Sequence, residues 1–533
     1  MYLHQCTKTL LKFMKLKKHR WLIAFALIIC LTNAYSQGSY PIVEWSPEYN
    51  IRNAKFDRIL QAGESGFFTY RKGSNSVLSA ARDEYFAYYN RFDLSEEWLL
   101  KNPRWEWNER KVLFKQGLML GDTQFLFYES YNPQTDEKYL LVRTLDTLAN
   151  LSEPKLIETF DSRRRYDGDF IIRASHDGSK FAVFTAPPDK RGGSENFYIR
   201  VYSQNIEELW NADIELTYAD RNFNILVFDL TNSGDVFVLS AFDDRFGIAR
   251  TTGKNIEYKL LRIGSGEENQ ITEFNLGLEN VAVQSVGIDC DLKGDEMAVS
   301  GFYGNRNMSD MNGAFYISIN QKTGELVSSN MDPFSEGFIS QFNRFRARRG
   351  RGIRRDFVFR QFLPRPGGGV YVIAEDYEVR VVTQQTGRGV TTTTYYYHYN
   401  DIIVLSIDKE GEVDWYAHIP KRQTSVNDGG LYLGYTFTVN DDGLHFVYND
   451  HKKNAKRWGK KTLRPVTNAK NGTLVMVSLS HDAQMTYTVL NRNKREKFRV
   501  TPKYSRSANE GYDGAVLLSL RGSRIRFGNL YFE

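Results

Sequence analysis

The 533-residue sequence predicts an all-β fold, a β-propeller of four-stranded blades. Three observations predict it. A polar turn with glycine, followed by a short apolar strand, recurs eight times; β-branched and aromatic residues fill each unit; and helical periodicity is nearly absent beyond residue 36. The turn glycines are Gly66, Gly121, Gly178, Gly234, Gly294, Gly368, Gly443 and Gly514, spaced by 55, 57, 56, 60, 74, 75 and 71 residues. Glycine between two β-rich runs marks a hairpin, because a tight turn calls for positive φ.

The elements follow in chain order. Residues 1–36 read as a signal peptide. Lys15, Lys17, Lys18, His19 and Arg20 precede the apolar run Trp21–Leu31, and Ala34 and Ser36 supply a small-residue cleavage site. Met14 offers an alternative start that would give a signal of ordinary length. Residues 37–533 then form one domain, since no Pro/Ser-rich linker interrupts them. Each repeat adds a second hairpin to the first. The clearest is Asp401–Leu405, a turn at Asp408–Glu412, then Val413–Ile419. The last repeat offers only three strands, about Phe498–Ser505, Ala515–Leu520 and Arg524–Phe532, and the chain start offers a spare, Tyr40–Trp45. Pairing the spare strand onto the last blade closes the ring and leaves no free edge. Eight blades are favoured; seven, with one repeat outside the ring, is the runner-up.

Two segments carry family resemblances. Ser175-His176-Asp177-Gly178-Ser179-Lys180-Phe181-Ala182 resembles the repeat of TolB-type propellers. Asp401 to Trp415, with Asp408, Gly411 and Trp415, is similar to the blade consensus of quinoprotein-like propellers. Both imply the fold, and neither carries a catalytic or cofactor residue onto this chain. The stretch Ala34-Tyr35-Ser36-Gln37 resembles the cleavage sites of exported Bacteroidota proteins.

Charge separates by position. The chain has 70 basic and 64 acidic residues, but six basic residues and no acid lie in 1–36, so the remainder is formally neutral. That balance argues against nucleic acid as a partner. In a four-stranded blade the first and third turns share one end. They hold Asp122, Asp177, Asp235, Asp295, Asp442, Asp513, Glu267, Glu268, Asp408 and Asp482, an acidic set. The middle connections and the crossings between blades share the other end. Arg344, Arg346, Arg348, Arg349, Arg351, Arg354 and Arg355 fall in the crossing into repeat six. Lys452, Lys453, Lys456, Arg457, Lys460 and Lys461 fall in the middle loop of repeat seven, and Lys494 and Arg495 in the next crossing. Tyr395, Tyr396, Tyr397 and Tyr399 occupy what reads as the middle loop of repeat six. Crowded like charge stabilises nothing by itself, and an anionic partner offsets it. Arginine forks suit carboxylate or phosphate, and tyrosines add contact surface. A solvated basic loop that binds nothing has the same composition.

The search for chemistry is thin. There is no Gly-x-Ser-x-Gly, His-Glu-x-x-His or phosphate-loop motif, and the histidines beyond residue 36 lack ligand spacing, so no metal or cofactor is expected. Glu375 and Asp376 end a strand, as a glycosidase pair does, but strand-end acids recur in every repeat. His445 and His451 are candidates to meet, and Cys290, alone beyond residue 36, reads as inert. The favoured function is a non-enzymatic exported binding platform or subunit of an envelope assembly. Its basic loop face would meet an envelope protein or an anionic glycan such as lipopolysaccharide. The alternative is a carbohydrate-active hydrolase or lyase with its site at the central channel. The expected location is periplasmic or outer-membrane-associated, with extracellular second, and no transmembrane segment beyond the signal.

Overall fold

The computed structural model describes residues 40–533 except 52–53, 74–82, 189–193, 220–222, 244–255, 265–270, 279–280, 305–309, 366–367, 387–389, 460–461, 470–471, 493–496 and 508–513. The signal segment, Asp513, Glu267, Glu268, Lys460, Lys461, Lys494 and Arg495 lie outside the described residues. No helix among the described residues is long and apolar enough to cross a membrane.

The described chain is mostly strand and falls into eight antiparallel sheets, numbered along the sequence: sheet 1 within 54–102, sheet 2 within 106–161, sheet 3 within 169–219, sheet 4 within 223–275, sheet 5 within 282–333, sheet 6 within 357–426, sheet 7 within 436–492, and sheet 8 within 499–532 together with strands from 41–50. Sheet 3 shows the pattern: Asp169–Ala174, Lys180–Ala186, Ser194–Ser203 and Glu208–Ala219, each hydrogen-bonded to the next. The central strands read as unbroken apolar runs, such as Lys180–Ala186 with its five interior residues buried. A strand buried on both faces has to be packed on both sides, and each sheet is. Eight apolar clusters lie between sheets. One joins sheets 1 and 2 through Phe68, Phe86, Leu126 and Tyr128, and others join 2 to 3, 3 to 4, 4 to 5, 5 to 6, 6 to 7 and 7 to 8. The eighth joins sheet 8 to sheet 1 through Phe527, Val516, Phe67 and Tyr89.

The terminal strands pair. Pro41–Trp45 runs antiparallel to Arg524–Phe532, with Val43 opposite Leu530 and Trp45 opposite Gly528. A Cβ on Gly528 would stand 2.9 Å from the Trp45 ring, so glycine lets the indole lie flat on the strand. The opening strand of sheet 8 departs from the expected Phe498–Ser505. It is broken into Arg499–Val500 and Arg506–Ser507 by a 3-10 turn at Pro502–Tyr504, because proline lacks the N–H that a ladder needs.

Of the eight turn glycines, seven have positive φ. Gly66 does not: a Cβ there would lie 2.4 Å from the Tyr88 ring and 2.5 Å from the Tyr89 carbonyl oxygen, so its requirement is space rather than φ.

Antiparallel pairing fixes the ends. Within each sheet the first and third turns emerge at one end, and the middle connection and the crossing to the next sheet emerge at the other. Two long excursions at the second end correct the sequence reading. The crossing into sheet 6 contains a helix, Glu336–Ala347, where only loop was expected. The tyrosine run is also not a loop. Val370–Thr386 and Val390–Ile407 continue past the sheet as one long hairpin, with Gln423–Val426 added as a third strand beside Tyr396–Tyr399.

Candidate functional site

The basic residues gather at the second end of sheets 6 and 7, on three scaffolds. The first is the arginine crossing. Ser335 caps its helix, accepting from the Phe338 N–H at 3.1 Å. Phe338 and Ile339 are buried, and Phe338 packs on Phe334 and Tyr416. The helix breaks at Asn343 (φ −157°), whose Oδ1 accepts from the N–H groups of Phe345 and Arg346 and so recaps the last turn. Beyond it, Met311 and Ile353 exchange two backbone hydrogen bonds of 2.8 Å, which tie the segment to sheet 5. A chain held at both ends in this way presents its side chains from a fixed backbone.

Those side chains divide into two groups. Arg346 is spent on structure: it pairs with Asp310 and donates Nε–H to the Gly352 carbonyl at 2.9 Å. Arg355 faces Asp376 at 3.5 Å. Arg344, Arg348, Arg349, Arg351 and Arg354 are exposed and have no side-chain ion pair among the described residues.

The second scaffold is the middle connection of sheet 7. It too is built rather than loose. Asn454 is fully buried, donates to Asp450 at 2.7 Å and to the Arg464 carbonyl at 2.9 Å, and accepts from the Arg464 N–H. Arg457 closes the turn onto the Thr462 carbonyl at 2.8 and 2.6 Å. Lys452, Lys453 and Lys456 project outward, exposed. His451 records their presence. Partial burial, then the charges of Arg464, Lys452, Lys453 and Arg457, push its pKa below the ordinary imidazole value.

The third scaffold is the tyrosine ribbon. Arg380 stands opposite Tyr396, Val379 opposite Tyr397 and Val381 opposite Tyr395, with Tyr396 and Tyr397 half-buried. The lysine loop is pinned to the ribbon. Thr424 donates its N–H to the Val466 carbonyl at 2.8 Å, and Val466 donates to the Arg422 carbonyl at 2.9 Å. Arg163 and Arg164 are exposed at the same end of sheet 3, distant along the succession of sheets.

Beneath these scaffolds lies a buried polar layer that sequence reading missed. Lys421 is wholly buried; its Nζ donates to Glu375 Oε1 at 2.8 Å, the Tyr399 carbonyl at 2.9 Å and Gln423 Oε1 at 3.2 Å. Arg360 donates to the other Glu375 oxygen at 2.8 Å. Burial pulls the Lys421 pKa down, and Glu375 acts against that pull. The carboxylate pair suggested by Glu375 and Asp376 therefore faces cations: two for Glu375, and Arg355 for Asp376. Lys421, between Pro420 and Arg422 two residues past the strand Val413–Ile419, gives no local sign of this layer.

The histidines do not meet. His445 and His451 sit at opposite ends of the strand Gly443–His451. His445 is packed against Phe532 and hydrogen-bonded to Ser478 and Asn440, and burial pushes its pKa down to about 4. Cys290 is buried. At the opposite end, Asp408 closes its own turn, accepting from the N–H groups of Glu410 and Glu412, while Asp235 pairs with Arg262 of a neighbouring strand at 2.7 Å.

No family model matches the chain, and no curated protein does. Among solved structures, Kluyveromyces lactis Hsv2 is similar at TM-score 0.34 and 10% identity, over 82% of this chain and 98% of its own. Pyrococcus horikoshii acylaminoacyl peptidase gives TM-score 0.37 and 9% identity over 89% of this chain, which spans 58% of the peptidase. Kuenenia stuttgartiensis hydrazine synthase gives 0.25 and 10%, over 64% and 96%. These resemblances are too distant to carry an activity across.

Proposed function

We propose that the protein is an exported binding platform, a closed eight-bladed propeller whose second rim docks an anionic partner in the cell envelope. The cyclic succession of apolar clusters, with sheet 8 packed on sheet 1, supports the ring. One observation carries the function. Adjacent sheets 6 and 7 hold their arginine and lysine segments on fixed scaffolds at one end, with Arg348, Arg349, Arg351, Lys452, Lys453 and Lys456 exposed. Holding cations close together costs repulsion, and the phosphates or carboxylates of an envelope surface offset it.

Co-sedimentation of the chain 37–533 with vesicles containing lipid A tests this reading. Binding is expected, weakening steeply with salt, and falling tenfold or more when Arg348, Arg349 and Arg351 all become Ser. Binding indifferent to salt, or unchanged in that variant, contradicts it.

A further inference from the structure

A pocket of about 360 Å³ opens where the three scaffolds meet. One wall is a row across the ribbon: Glu378, His398 and Thr424 are direct cross-strand neighbours on three successive strands. His398 Nδ1 is held by Thr424 Oγ1 at 3.1 Å. Arg355, from the arginine crossing, and Arg422 line the same space. Arg422 is exposed, and its backbone is fixed from both sides: its carbonyl accepts from Val466, and Lys421 beside it is buried and bonded. Asn400 and Asp401 complete the polar lining, Asp401 accepting from the Lys421 N–H at 3.0 Å.

The charge count selects the ligand. Two guanidinium groups share the lining with two carboxylates, Glu378 and Asp401; Arg355 already looks toward Asp376, and Asp401 toward His418 at 3.6 Å. A dianion such as a phosphate monoester would meet repulsion from the acids. A singly charged carboxylate carrying hydroxyls uses both kinds of group: the forks take the carboxylate, and the acids, imidazole and amide take hydroxyls. The volume lies at the small end of ligand pockets.

We propose that this pocket binds one hexuronate residue of an acidic glycan, its carboxylate against Arg355 and Arg422 and its hydroxyls against Glu378, His398 and Asn400. The proposal rests on the anion-binding reading of this rim and gives it a specific site.

Titration calorimetry with glucuronate, glucose and glucose 6-phosphate tests it on the whole chain 37–533. Glucuronate binds, glucose does not, and glucose 6-phosphate binds more weakly than glucuronate. Arg422→Gln, at an exposed position, lowers glucuronate affinity at least tenfold, and Glu378→Gln lowers it several-fold. The His398 ring resonances move on titration, and those of His451 stay. Equal affinity in wild type and Arg422→Gln, tighter binding of glucose 6-phosphate, or no glucuronate binding at all overturns the proposal. The vesicle assay separates the two readings. If the Ser triple variant loses vesicles but keeps glucuronate, both stand; if vesicles never bind while glucuronate does, the rim reading fails and the pocket stands.

Discussion

His451 is the residue through which the basic rim can be read in solution. Its depressed pKa arises from partial burial and from the neighbouring Arg464, Lys452, Lys453 and Arg457. Changing Lys452 and Lys453 to Gln is expected to raise it, as is added salt, and histidine NMR titration measures both. His445 gives a pH signature of a different origin. Its folded pKa of about 4 lies below the ordinary 6.5, so the unfolded chain takes up a proton first as pH falls. Stability is full above about pH 6.5 and declines toward pH 4, by up to about 3 kcal/mol from this residue. Urea unfolding at several pH values should show that slope, and His445→Gln should flatten it. Two glycines separate space from backbone. Gly121→Ala meets only the cost of φ +57°, about 1 kcal/mol, since nothing lies within 4 Å of its Cβ position. Gly66→Ala has ordinary φ but drives into Tyr88, and should cost more, about 1–3 kcal/mol.

Elements were legible where their period was plain. Turn-plus-strand units such as Gly178 with Phe181–Phe184 fell where expected, because an apolar strand beside a glycine turn has few other readings. The arginine helix was missed because the charge run drew attention from its start. Ser335 as cap, with Phe338, Ile339 and Phe342 on one face, carried the signal. The ribbon is hard to see in a run of tyrosines and threonines that reads as a loop, although the alternation of Val379, Val381 and their flanking polar residues has a strand's period of two. The buried Lys421 layer had no local signal at all; its partners Glu375, Tyr399 and Arg360 come from different strands of one sheet. Lys421→Met leaves Glu375 buried with Arg360 alone, and should destabilise by about 3–5 kcal/mol in urea unfolding. Adding Glu375→Gln should recover part of that loss, because a neutral amide costs less to bury than a carboxylate that has lost one of its two cations.

At the scale of the whole molecule, the pairing of Pro41–Trp45 with Arg524–Phe532 was foreseeable because the last repeat was one strand short. What would occupy the basic rim was not foreseeable, since charge runs alone do not distinguish a docking surface from a solvated one. The proposed docking reading draws instead on the scaffolds: a fully buried Asn454, a recapped helix turn and a third ribbon strand hold the cations in place. The most direct test is lysine acetylation footprinting of the chain with and without lipid A vesicles. Lys452, Lys453 and Lys456 should be protected together, while Lys322 and Lys409, exposed in turns at the opposite end of sheets 5 and 6, react as before. Protection of Lys322 and Lys409 instead, or of neither set, would contradict the account.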